Sequence, residues 1–288
     1  MKKTMKKTDE NAVIGIVTAI LIVGLIVIVI SIIQVVYVPI IMEQREAEHM
    51  DKVAEQFGFI TSVIDNQANY GKKGIPIASF VTLGSKELPL LVSSKAYGTL
   101  EVLENSSAIT IQNNTITNIF PFGMIKYSST NAYYLDQSYI YEGGAMIVSQ
   151  YQGNKMMVSP GFFVDYNWTN STVNLSFDVV NVSSIGLKTI ATGYGIYGLQ
   201  TEYNYTSTNM FFMDVRNITI NSHFSSAWFV FINSLLRDAG LNSETNPSQF
   251  VLTDLGQSLE LNFSSNLTVN MNLKIIEIQV QVGPGWIK

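Results

Sequence analysis

The sequence predicts a mainly β ectodomain, sandwich- or barrel-like with one short helix, on a long N-terminal transmembrane-plus-stalk α-helix. Three observations lead there. No charged residue occurs between Asn11 and Met42. Beyond residue 65, segments that alternate apolar and polar residues are broken by Asn and Gly turns about every 8–12 residues, as in all-β domains. The composition is weakly charged: 14% Asp, Glu, Lys and Arg, against about 25% in a typical soluble domain.

Residues 1–11 form a basic leader carrying Lys2, Lys3, Lys6 and Lys7. Residues 12–42 follow as the spanning helix. Positions 13–33 alone hold sixteen Val, Ile or Leu, each favouring insertion by about 0.3–0.6 kcal/mol. Runs such as Ile26-Val27-Ile28-Val29-Ile30 favour a strand in water. In hydrocarbon a lone strand leaves its backbone unpaired, so a helix is expected. A secretory signal has a shorter apolar stretch and an A-x-A-like site; this run is longer and lacks that site. Four lysines before the span, against Glu43, Arg45, Glu46 and Glu48 after it, orient the N-terminus to the cytoplasm and residues 43–288 to the outside.

Residues 43–65 continue as a helical stalk. Ala47, Met50, Ala54, Phe57, Ile60 and Ile64 recur at steps of three or four. The stripe packs on the ectodomain or on a partner helix. Pro39 is expected to kink the helix. His49 lies off the stripe among charges and reads as a solvated residue.

Residues 66–288 are the extracellular β-rich domain, with two β subdomains divided near residue 165 as an alternative. Val173-Asn174-Leu175-Ser176-Phe177-Asp178-Val179 keeps period two, as do Leu267 to Ile275. The phase then switches to Ile276, Ile278, Val280 and Val282, which suggests a β-bulge near Ile275-Ile276. Asn113-Asn114, Gly143-Gly144 and Gln152-Gly153-Asn154 are hairpin signals. Trp228, Phe229, Ile232, Leu235 and Leu236 mark one helix, capped by Ser225-Ser226 and stopped at Gly240.

Ten Asn-x-Ser/Thr acceptors, at Asn105, Asn113, Asn167, Asn170, Asn174, Asn181, Asn204, Asn217, Asn262 and Asn266, all lie beyond the span. Composition alone gives about four. Asn167, Asn170 and Asn174 crowd one another, so full occupancy is not expected.

Catalytic signals are weak. The chain has no cysteine and two histidines, which excludes thiolate chemistry and disfavours a histidine metal site. Gly193-Tyr194-Gly195-Ile196-Tyr197-Gly198 spells a dinucleotide fingerprint without the helix that should follow it. Its glycines fit close backbone approach in a sheet instead. His223 lacks a G-x-S-x-G partner and reads as a buried or capping histidine. Asp136, Glu142, Asp165, Asp178 and Asp214 are unpaired carboxylates by sequence. No catalytic residue, cofactor or metal is assigned, and a net charge of −5 argues against a nucleic-acid partner.

Lys6-Lys7-Thr8-Asp9-Glu10-Asn11-Ala12-Val13-Ile14-Gly15, followed by the apolar helix, resembles the N-terminus of archaeal type IV pilin-like proteins. Those carry a basic leader, a D-E-x-A-V segment, often with Ser-Pro, and V-I-G; the Ser-Pro is absent here. The resemblance implies leader processing near Thr8 and Asp9 and a helix able to pack on identical subunits. Gln34, Val38-Pro39, Glu46, His49, Val53, Val81-Thr82-Leu83-Gly84 and Val282-Gly283-Pro284-Gly285 look like a family of uncharacterised archaeal membrane-anchored surface proteins. That family has no established activity to carry over. Small residues Gly15, Ala19 and Gly24 would permit close helix approach. The function expected is therefore a glycosylated, non-enzymatic, single-pass envelope protein whose partners are the lipid bilayer and itself or other pilin-like subunits. A ligand-binding or adhesive ectodomain, marked by an aromatic-lined cleft, is the first alternative. A surface hydrolase, marked by paired carboxylates or by His223 beside a serine and an acid, is the second.

Overall fold

The computed structural model describes residues 2–84, 96–243 and 248–283, with side chains from residue 13 onward. Pro284-Gly285 and the side chains of Thr8 and Asp9 therefore lie outside the described residues. The chain is mainly β with one long N-terminal helix. That rod consists of α1 (Lys2–Ile32), a π-helical turn (Ile33–Tyr37) and α2 (Val38–Tyr70). A proline in a straight α-helix removes one hydrogen bond and clashes with the carbonyl four residues back. Here the turn just before Pro39 is widened, and the Val38 N–H reaches the Ile33 carbonyl. The irregularity expected at Pro39 thus takes the form of a π turn.

The strands follow in order: β1 (Ile77–Thr82), β2 (Tyr97–Asn113), β3 (Thr117–Thr130), β4 (Gln137–Glu142), β5 (Ala145–Gln150), β6 (Gly153–Val158), β7 (Gly161–Asn167) and β8 (Thr172–Ser184). After them come β9 (Ile190–Gly193), β10 (Ile196–Thr206), β11 (Met210–Phe212), β12 (Val215–Asn221), α3 (Ser225–Asp238), β13 (Phe250–Asp254), β14 (Ser258–Phe263) and β15 (Thr268–Val282). One sheet runs β1-β10-β15-β8-β7, with β11 also on β15. The other runs β13-β14-β12-β2-β3-β4-β5-β6, with β9 also on β2. The three hairpin signals all fall at turns. Gly143 and Gly144 both have positive φ, 60° and 95°, as a two-residue hairpin with the sheet's own twist requires. No helix follows Gly193–Gly198; β10 does.

Two cores form, and the same strands serve both. Val173, Leu175, Phe177 and Val179 of β8 and Val269, Met271 and Leu273 of β15 lie in one, with Trp228 and Ile232 of α3. Val180 and Val182 of β8 and Ile276, Ile278, Val280 and Val282 of β15 lie in the other, with Phe57, Ile60 and Ile64 of α2. The sequence-level division near residue 165 therefore does not separate the cores. The expected bulge in β15 is replaced by a joint change of face. β15 and β8 stay in unbroken parallel register through Ile275↔Val179 and Ile276↔Val180, so both strands change buried face at the same rung. The extra residue sits in β10, between Tyr203 and Tyr205. In the second sheet β3 changes core between Met124 and Ile125. Its neighbour β2 carries an irregularity between Leu103 and Ser107.

A polar seam lies where the strands change face. Asn181 Oδ1 accepts from the Gly123 N–H (2.9 Å) and its Nδ2 donates to Glu277 (2.6 Å). Glu104 accepts from the Ser184 N–H (2.5 Å) and hydroxyl (2.6 Å). These bonds supply partners where the apolar packing is interrupted.

Candidate membrane anchor and its junction with the domain

Every Val, Ile and Leu from Val13 to Val36 is exposed. This is the longest apolar surface among the described residues. At 1.5 Å per residue, residues 13–36 rise about 36 Å, against a hydrocarbon core of about 30 Å. The two hydroxyls in the run are satisfied within the helix: Thr18 donates to the Ile14 carbonyl (2.9 Å) and Ser31 to Val27 (2.7 Å). They therefore present little unsatisfied polarity to lipid. Gly15 and Gly24 have nothing within 4 Å of an added Cβ, and Ala19 shares their exposure.

Burial begins at Val38 and Met42 and persists along one face of α2 to Gln67. The second half of the rod is thus packed on the domain along that face, the first of the two placements expected for its stripe. The expected stripe is right at Met50, Phe57, Ile60 and Ile64, but the face is turned toward Glu46, His49 and Val53 and away from Ala47. At its far end Gln67 Nε2 donates to the Thr201 carbonyl (2.9 Å). On its flank Gln56 accepts from the Thr82 N–H (2.9 Å) and donates to the Thr82 hydroxyl (3.1 Å), occupying the open edge of β1.

Two polar side chains fix the junction. Glu46 is fully buried. One of its oxygens accepts from the Ala132 N–H (3.1 Å), the other from the N–H groups of Tyr133 and Tyr134 (2.7 Å each). A buried carboxylate with three backbone donors is well solvated by the protein. His49, expected in solvent, is instead buried. Its Nε2 lies 3.1 Å from the Tyr127 hydroxyl, which itself donates to the Leu83 carbonyl (3.0 Å). With the tyrosine proton committed to Leu83, the imidazole donates from Nε2 as a neutral ring. Burial pushes the His49 pKa down, and the nearby Leu83 backbone bond opposes that only in part. Burial also pushes Tyr139 up to about 12; its hydroxyl donates to the Met50 carbonyl (3.2 Å). The signal for Glu46 was present in the sequence. It stands on the helical face of Met42, Met50 and Val53, where an acid must find partners.

The catalytic candidates are not brought together. Glu142 is fully buried and accepts from Ser107, from Ser222 (2.9 Å) and from the Trp228 indole (3.4 Å). Desolvation raises its pKa despite those donors. Both serines thus donate to a carboxylate rather than to a histidine. His223 is exposed, not buried, because the β12–α3 connection turns it outward. It lines a cavity of about 690 Å³ with Leu103, Met124, Lys126 and Phe224. Asp178 pairs with Lys274 (2.5 Å), and Asp136 accepts from the Asn131 N–H (2.7 Å). Asp165 and Asp214 are exposed. Ser225 and Ser226 do not cap α3; Ser225 donates to Asp254 (2.6 Å).

The ten glycan acceptors separate by environment. Asn105, Asn167, Asn170, Asn174, Asn262 and Asn266 are exposed, and Asn113, Asn181, Asn204 and Asn217 are half-buried. At Asn181 and Asn217 the amide nitrogen is itself a donor in the fold, to Glu277 (2.6 Å) and Asn262 (2.8 Å). In comparisons with protein-family models, curated proteins and solved structures, nothing matched this chain.

Proposed function

We propose that the chain is a single-pass, membrane-anchored, glycosylated surface protein of structural rather than catalytic role. Its N-terminus is cytoplasmic and its β domain, two sheets packed sandwich-like, is exterior. One observation carries the reading. A single helix is wholly exposed and apolar over residues 13–36, then buried along one face of the domain from Val38. A core helix would be buried throughout, and a cleavable signal has no reason to continue into a helix packed against a folded domain. The buried continuation also makes the anchor's attachment stiff, so forces on the helix reach the sheets directly.

The same exposed helix supports the pilin-like version. Gly15, Ala19 and Gly24 leave open surface where a second helix can approach closely. The test is membrane fractionation of the native full-length protein, combined with cross-linking of Gly15→Cys, Ala19→Cys and Gly24→Cys variants. Retention in alkali-washed membranes supports anchoring, and recovery in the soluble fraction overturns it. Cross-linked dimers and ladders support self-association, whereas a monomeric pattern removes it. A ligand-binding ectodomain is the second reading, favoured by the cavity of about 690 Å³ that His223 and Phe224 share with Lys126.

A further inference from the structure

The fold discriminates among the ten acceptors, and one of them carries its own docking surface. Strands β7 and β8 pair as a hairpin that closes at Asn167↔Thr172. Its four-residue loop is Trp168-Thr169-Asn170-Ser171, with Ser171 at φ 52°. Trp168 is 69% exposed, unusual for a large apolar ring on a hairpin tip. The ring is nevertheless held in place. Its centroid is 4.9 Å from that of Tyr166, whose hydroxyl accepts from Gln249 (2.8 Å). Its other support is Gly240, where even a Cβ would come within 2.6 Å of the indole. Gly240 has φ 90° and lacks a side chain, so the ring can lie directly on its backbone. The result is a fixed, solvent-facing indole two residues before Asn170.

Asn170 is exposed, and its side chain makes no hydrogen bond among the described residues. Asn167 beside it is partly committed, since its Oδ1 accepts from the Thr169 N–H (3.0 Å). We propose that Asn170 is a preferred N-glycan site of this domain and that Trp168 is the seat on which the first sugar stacks. This rests on the exterior location argued above. Transfer forms a bond from Asn170 Nδ2 to the anomeric carbon of a lipid-phosphate-linked saccharide. The anomeric C–O bond breaks, the lipid phosphate leaves with the electron pair, and one amide proton is lost to base. The C–H face of a pyranose then covers the indole, burying apolar surface on both partners. Asn181 is the complementary case. A sugar on its nitrogen would replace one of the two amide hydrogens and have to fit beside the buried Glu277, 2.6 Å away, so the fold leaves it little room.

The experiment is glycopeptide mass spectrometry of the full-length protein from its own membranes. It is applied to the wild type and to Trp168→Ala, Trp168→Phe and Thr172→Ala. The expected result is sugar on Asn170, none on Asn181, and loss at Asn170 in Thr172→Ala. Occupancy relative to Asn266 should fall at least about twofold in Trp168→Ala and recover partly in Trp168→Phe, where an aromatic face remains. Bare Asn170 beside occupied Asn105 or Asn266 overturns the inference, as does occupancy indifferent to Trp168→Ala. If no acceptor is occupied the inference also falls. Alkali extraction of the same membranes then judges the anchoring separately.

Discussion

At the scale of single residues, the junction between the exposed apolar helix and the domain depends on two side chains of α2 that face the interior. Glu46 holds the N–H groups of residues 132–134, so removing its carboxylate strands three donors in a buried site. Glu46→Ala is expected to cost about 3 kcal/mol, read from the urea midpoint of the extracted protein. His49 gives a pH dependence whose sign follows from its lowered pKa. Below the ordinary value of 6.5 the unfolded chain takes up a proton that the folded ring resists. Stability therefore declines as pH falls from about 6.5 to the folded value and is flat below it. His49→Gln, which retains a donor toward Tyr127, should remove that slope. Equal slopes in the two proteins between pH 5 and 7 would refute the assignment.

At the scale of elements, most of the fold was legible. Period-two alternation located β8 and β15, paired Gly and Asn residues located the hairpins, and the Trp228–Leu236 stripe located α3. These signals are local: they depend on neighbours along the chain. What stayed hidden depends on neighbours across it. The switch from Ile275 to Ile276 was visible, but its cause was not, because it is matched at Val179-Val180 on a strand almost a hundred residues away. His49 was misread because charged neighbours along the helix say nothing of Tyr127 and Leu83 packed against it. The site was legible as an apolar run and, on the helical face of Met42, Met50 and Val53, as an acid in need of partners; which groups meet Glu46, and the exposure of Trp168, are products of tertiary packing. The crossing itself is testable at Gly123. A Cβ there would lie 2.1 Å from the Val182 carbonyl and 2.8 Å from that of Leu103. Gly123→Ala must push β3 away from β8 and break the Asn181 bond. It should cost about 1–3 kcal/mol by overpacking, measured as a lower denaturation midpoint. An unchanged midpoint would mean that the two sheets meet more loosely than described.

At the scale of the whole molecule, the rod changes its part in the packing at the π turn. Residues 13–37 bury nothing in the domain, whereas α2 contributes Met50, Val53, Phe57, Ile60 and Ile64 to a core shared with both sheets. A chain beginning at Val38 should therefore fold, stay in solution and melt close to the full-length protein in detergent. A chain beginning after Ile64 removes five fully or nearly fully buried side chains from that core, each worth about 2–5 kcal/mol, and should not fold. The contrast separates an anchor from a structural helix. If the Val38 chain still partitions into vesicles, the membrane contact lies on the β domain. If it is soluble but melts far below the full-length protein, the exposed helix must make contacts that stabilise the fold, and its surface would then be an intramolecular or intersubunit interface rather than a face for lipid.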